Sequence, residues 1–234
     1  MQLFYAPDID ERIHILNEEE SKHLIRVLRM TQGDVVFLTD GKGNFYEAQI
    51  SKPDPKRCEV SIVKKSEEHE RRDYYLHIGI APTKNVKRFE WFLEKATEIG
   101  VDEITPIICE HSERKHLRKD RLINVLIAAM KQSVKAYLPV LNEPVKIEDF
   151  FQQSMDGFNG IAVCDNQRKP HLKKLCAGHR NITILIGPEG DFGYEEIQTA
   201  ISEGYKAVSL GSSRLRTETA GVVACSIVNM VNDP

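Results

Sequence analysis

The sequence predicts an α/β protein in two parts: a β-rich region over residues 1–70, then a mostly parallel sheet covered by helices over 71–234. Three observations carry this. From residue 74 onward strand-like and helix-like segments alternate, the order that builds parallel sheets. Residues 182–186, Ile-Thr-Ile-Leu-Ile, are almost continuously apolar, as a strand buried on both faces requires. Between the parts lie residues 64–73, ten residues without an aliphatic side chain, too polar to bury much and so a boundary.

The elements follow in order. Asn17 with Glu20 three residues on is a capping box, so a helix starts there and runs to about Met30. Lys22, Arg26 and Arg29 then share one face, while Leu24, Ile25 and Leu28 turn to a core. Residues 35–39 and 45–50 flank Asp40-Gly41-Lys42-Gly43-Asn44 and form a hairpin; 58–63 add a strand. In the second part, 74–81 is a strand. Residues 85–99 are a helix with Val86, Phe89, Phe92, Leu93, Ala96 and Ile99 at helical spacing, ended by Gly100. Strands at 104–109, 161–164, 182–186 and 207–210 alternate with helices at 118–137, 194–204 and 217–231.

Composition narrows the function. At 41 % hydrophobic and 29 % charged, the chain can bury a core. Its apolar runs fall well short of the ~20 residues that span a bilayer. The first eight residues lack a basic region followed by an apolar stretch, so no signal peptide, no membrane partner and a cytoplasmic location are expected. Five cysteines (58, 109, 164, 176, 225) contain no Cys-x-x-Cys pair, so neither disulfides nor a zinc site is expected. Cys109, Cys164 and Cys225, in apolar segments, read as buried thiols. His111 and His116 are five apart and do not share a helical face, so no metal is expected.

Two segments stand at the ends of strands, where ligands of open α/β sheets bind. Ile186-Gly187-Pro188-Glu189-Gly190 is a tight turn whose glycines let a ligand approach the backbone. It is neither Gly-x-Gly-x-x-Gly nor a phosphate-binding loop. Leu210-Gly211-Ser212-Ser213-Arg214-Leu215-Arg216-Thr217-Glu218-Thr219-Ala220 opens the last helix, with Thr217 or Thr219 as its cap and Glu218 in its first turn. The arginines beside Glu218 would be costly to bury without a task. The net charge of −3 argues against a nucleic-acid partner, but the cations are clustered. Lys22, Arg26 and Arg29 form one patch, Lys84, Lys87 and Arg88 a second, and Arg114, Lys115 and Arg118 a third. All three are candidates for phosphate contact.

On these residues the chain resembles the RsmE family of 16S rRNA (uracil-N3)-methyltransferases, within the SPOUT superfamily. The likeness rests on His23-Leu24-Ile25-Arg26-Val27-Leu28-Arg29 with Gly33-Asp34, on Lys87-Arg88-Phe89-Glu90 through Glu94 to Val101, and on the two C-terminal segments. Asp191 and Gly193 stand where the family usually has glycine and serine. Ser213 stands at an arginine position, and Lys131 at an acidic one. The resemblance implies a PUA-like RNA-binding domain over 1–70 and a SPOUT domain with a trefoil knot over 71–234. It implies S-adenosylmethionine as cofactor, 16S rRNA or the small ribosomal subunit as partner, and a homodimer.

The residues expected at the cofactor are Ile186, Gly187, Pro188, Glu189, Gly190, Leu210, Gly211, Leu215, Thr217, Thr219 and Ala220. Uracil N3 must lose its proton to become a nucleophile, which puts charge on O2, N3 and O4. Arg216, then Arg214, are the expected cations there, with Glu218 or Glu189 taking a proton or orienting an arginine. The rival readings are a ribose 2′-O-methyltransferase of the same superfamily and a non-catalytic RNA-binding assembly factor. A nucleotide-binding α/β enzyme is weakened by the missing phosphate fingerprints.

Overall fold

The structure is a computed structural model and describes residues 1–9, 12–152, 156–165 and 167–232. The chain divides into two compact units. One comprises Met1–Arg71 and Ile127–Leu138, the other Arg72–Leu126 and Pro139–Pro234. The stretch 127–138 is therefore a part of the first unit that the division at residue 70 did not foresee.

The first unit is built on a curled five-stranded sheet. Its strands are β1 (Leu3–Tyr5), β2 (Ile13–Ile15), β3 (Val35–Thr39), β4 (Phe45–Lys52) and β5 (Glu59–Ser66), in the order β1-β3-β4-β5-β2. β3 and β4 are the expected hairpin. β5 runs to Ser66, because Lys64 and Lys65 pair with Glu47 and Tyr46; the polar stretch thus begins inside a strand. Phe4, Leu16, Leu24, Leu38, Ile50 and Val60 form the core. The Asn17 side chain accepts from the Glu20 N–H and starts α1 (Glu18–Lys22). The helix does not continue to Met30 as α-helix: His23–Val27 is a wider π-turn, and Arg29 has a φ of 58°. The extra residue per turn breaks the spacing that placed Lys22, Arg26 and Arg29 on one face. All three are exposed, without ion-pair partners among the described residues.

The second unit is a parallel sheet. Its strands are β6 (Tyr75–Ile80), β7 (Glu103–Ile108), β8 (Val140–Leu141), β9 (Val145–Lys146), β10 (Phe158–Ala162), β11 (Asn181–Ile186) and β12 (Lys206–Val208). The order is β12-β10-β11-β6-β7-β8, with β9 also on β7, and every pair is parallel. The helices are α2 (Val86–Ile99), α4 (Ile147–Phe151), α5 (Tyr194–Ser202) and α6 (Thr217–Asn232), with the first part of α3 (Lys119–Gln132), whose residues from Ile127 on belong to the first unit. α3 ends five residues earlier than expected, where Val134 takes a φ of 58°.

Alternation along β6 sorts the helices to the two faces. Ile80 faces α2 and α6, since a Cβ on Gly221 would meet both Phe92 and Ile80. Gly79 faces the other way, toward Leu185, Ile107 and Phe150 of α4. α6 follows β12 at the sheet edge yet packs on α2, β6 and β11. The segment joining β12 to α6 therefore crosses the C-terminal ends of the central strands, where the site lies.

Candidate functional site

One cavity of about 340 Å³ opens at the C-terminal ends of β10, β11 and β12. Each of these strands sends a loop into its wall. The turn after β11 contributes Ile186, Gly187, Pro188, Glu189 and Asp191; the segment after β12 contributes Leu210 to Leu215, with Thr217 and Ala220 of α6. Of the residues expected at the cofactor, Gly190 and Thr219 lie outside this lining. The third wall was not foreseen: Ala162, Val163, Cys164, Asp165, Gln167, Arg168 and Lys169, after β10. A signal was present, since Cys164-Asp165-Asn166-Gln167-Arg168-Lys169 is a polar run at the end of an apolar one. The strand ends at Ala162 rather than Cys164, which frees these residues to line the wall. Cys164 is consequently exposed, against the expectation of a buried thiol; Cys109, Cys176 and Cys225 are buried. Burial pushes the Cys176 thiol up to about 11 and the Cys225 thiol to about 12.

The turn after β11 is a hub of hydrogen bonds. Gly187 O accepts from the buried Thr217 hydroxyl at 3.0 Å, tying α6 to the turn. Glu189 Oε1 accepts from Lys84 N–H at 3.0 Å, tying the loop after β6. Asp191 Oδ2 accepts from Cys164 N–H at 3.2 Å, tying the loop after β10, and its Oδ1 accepts from Phe192 N–H. His111, after β7, reaches Asp191 O at 3.0 Å. Asp191 has a φ of 65°, a conformation that suits the glycine usual there; this chain uses a carboxylate to bridge two walls instead. The glycines make room for protein rather than ligand: a Cβ on Gly187 would lie 3.0 Å from the Phe192 ring, one on Gly190 3.0 Å from His111. Gly211, with a φ of 148° and open space around it, serves the backbone path.

The segment before α6 places the charged candidates. Ala220 N–H donates to Arg216 O, so Arg216 is the residue at which the helix begins. The Thr217 hydroxyl is committed to Gly187 O and does not cap α6. Arg214 lines the cavity; Arg216 does not. Both are exposed and have no ion-pair partner among the described residues. Glu218 points elsewhere, to the start of α2, where its Oε1 lies 3.8 Å from Arg88 Nε. Among the other cations, Lys84 Nζ pairs with Glu113 at 2.7 Å, and Arg114 donates to Thr83 O and Lys84 O. These contacts hold the loop after β6. Lys87, Lys115 and Arg118 are exposed. Among the described residues no three His, Cys, Asp or Glu gather as a metal site would need.

A parallel sheet whose central strands feed a ligand-sized cavity, closed by a segment that crosses them before the last helix, is the plan of an RNA methyltransferase domain. The sequence matches that domain family over residues 70–229, and the RNA methyltransferase PUA domain over 16–63. The chain belongs to the ribosomal RNA small subunit methyltransferase E family, whose C-terminal domain has the knotted SPOUT fold. It is 31 % identical to the Aquifex aeolicus protein of that name, over 97 % of this chain and 99 % of its relative. A probable rRNA-methyltransferase from Porphyromonas gingivalis superposes with a TM-score of 0.93 at 42 % identity, over 99 % of this chain and 98 % of that one. A Legionella pneumophila protein solved in complex with the cofactor SAM superposes at 0.86, with 27 % identity over 97 % and 96 % of the two chains.

Proposed function

We propose that this protein transfers the methyl group of S-adenosylmethionine to N3 of a uridine in 16S rRNA of the small ribosomal subunit. One observation carries the cofactor part: the three loops that converge on a single cavity include both family segments. The lining suits the cofactor. Val163, Ile186, Val208 and Leu215 offer apolar surface to an adenine ring, the Leu210–Gly211 backbone offers hydrogen bonds, and Arg168 offers charge to an amino-acid carboxylate. The cofactor supplies an electrophilic methyl carbon on a sulfonium.

The protein's own part is orientation and charge. The acceptor nitrogen gives up its proton to solvent, and its electron pair forms the new N–C bond. The C–S bond breaks with its pair remaining on sulfur. Arg214 and Arg216 supply positive charge beside the carbonyl oxygens as the base loses its proton. Lys22, Arg26 and Arg29 of the 1–70 domain, with Lys87, Lys115 and Arg118, take RNA phosphates and leave the choice of base to the pocket. A homodimer in the cytoplasm completes the reading.

The test is methylation by radiolabelled cofactor of small subunits, and separately of free rRNA, from a strain lacking the protein, followed by nucleoside mapping. N3-methyluridine is expected. A methylated ribose would replace the uracil assignment, and failure of the folded protein to bind S-adenosylmethionine in calorimetry would leave an RNA-binding assembly factor.

A further inference from the structure

Glu218 is the least explained charge of the second unit. It is 6 % exposed, and its Oε2 has no hydrogen-bond partner among the described residues. Among the described residues its one ion-pair partner is Arg88, 3.8 Å away and beyond hydrogen-bond reach. A buried carboxylate with unspent hydrogen-bonding capacity is costly, and packing alone does not require one in the first turn of a helix. The Arg88 side chain is 43 % exposed, and no acceptor among the described residues takes its N–H groups. Its neighbours are spoken for: Lys84 by Glu113, Arg114 by two carbonyls, Arg121 by Glu90. Lys87 has no carboxylate partner among the described residues. Arg88 is thus the cation at this end of α2 that is both aimed and unspent.

Neither Arg88 nor Glu218 lines the cavity, but the segments that carry them are tied to its wall. The loop that leads into α2 is bonded to the glycine turn through Lys84 N–H and Glu189. Thr217, the residue before Glu218, lines the cavity and holds Gly187 O. We infer that Arg88, oriented by Glu218, donates to one carbonyl oxygen of the acceptor base and stabilises the charge that develops there during methyl transfer; this rests on the reading proposed above. An imide losing its central proton spreads charge to a carbonyl oxygen on each side, so cations are needed on both. Arg214 and Arg216 are exposed and have no ion-pair partner among the described residues. Arg88 already has a buried carboxylate beside it, and a donor oriented beforehand contributes more because less reorganises during the reaction. Glu218 is then a positioning residue: its buried carboxylate lies beside the guanidinium and aims it.

The experiment compares wild type, R88A, R88K, E218Q and the double variant R88A/E218Q in single-turnover methylation of small subunits, with cofactor affinity by calorimetry. R88A is expected to slow transfer by about 100-fold, the scale of one lost charge-stabilising donor, with unchanged cofactor Kd. Added guanidinium restores part of the rate to R88A and not to R88A/E218Q, because the carboxylate is what seats the ion. R88K, which keeps the charge without the fork, falls between, and guards against loss of fold in the alanine variant. Near wild-type turnover by R88A overturns the inference. So does a rate loss that tracks lost cofactor affinity, a change in RNA KM alone, or absence of guanidinium rescue. A wild-type protein that binds cofactor but methylates no RNA takes down the parent reading and this inference together.

Discussion

At the residue scale, exposure separates side chains that act from those that hold. Arg216 begins α6 with its side chain in solvent, so its removal spares packing. R216A is expected to retain the wild-type melting temperature and lose at least ten-fold in transfer rate, on the order of one charge-assisted contact; near-normal methylation with an intact fold would remove Arg216 from the chemistry. Cys164 gives a second check. It is exposed and lines the cavity, whereas burial raises the Cys109, Cys176 and Cys225 thiols and keeps them from reacting. Iodoacetamide at pH 8 is expected to label Cys164 first, with S-adenosylmethionine slowing that labelling; peptide mass mapping reads both, and unprotected labelling would place the cofactor elsewhere. The apolar neighbours of Cys164 predict burial, but β10 ends two residues before it and leaves the thiol exposed.

At the element scale, what was legible followed periodicity. α2 begins at its Asn85 cap and ends at Gly100 as its apolar spacing requires, and β11 is the buried strand its apolar run demands. What was not legible depended on partners far along the chain. The short strands β8 and β9 and the five-residue α4 are too brief to show a period. Glu20 reads locally as half of a capping box, yet its carboxylate pairs with Lys131, 111 residues on, and no local pattern announces that. Gly221 is another such case. In the middle of α6 a glycine is locally a poor choice, by about 1 kcal/mol against alanine. Its reason lies across the packing, since a Cβ would come within 2.6 Å of the Phe92 ring. Phe92 is fully buried and cannot move aside, so crowding that costs about 1–3 kcal/mol outweighs the helix gain. G221A is therefore expected to lower the urea midpoint by the equivalent of about 1 kcal/mol; a raised midpoint would mean α2 and α6 pack less tightly than they do here.

At the scale of the whole molecule, composition and element order reached the α/β class but not the path of the chain. General rules disfavour threaded chains, so the knot came from the family resemblance. In the structure the chain passes from β12 at the sheet edge to α6, and the Thr217 hydroxyl joins the start of that helix to the Gly187 turn. A global consequence of burial is pH dependence. His77 sits in the sheet core, 2.7 Å from the Thr105 hydroxyl, and burial lowers its pKa against the opposing pull of Glu103. His14, in the other unit, is lowered in the same way by burial, opposed by Asp8. Both groups bind a proton more readily in the unfolded chain, whose reference value is 6.5. Where the unfolded state holds more protons, stability rises with pH. The contribution of these imidazoles is therefore complete above about pH 6.5 and is lost as pH falls from there through their lowered folded values. Melting temperature should drop between pH 7 and pH 5, and H77N, whose amide cannot take up the proton, should flatten that drop while lowering the value at pH 7. A wild-type curve that rises toward pH 5, or an H77N curve as steep as wild type, would show that the buried imidazole is not what makes the fold acid-sensitive.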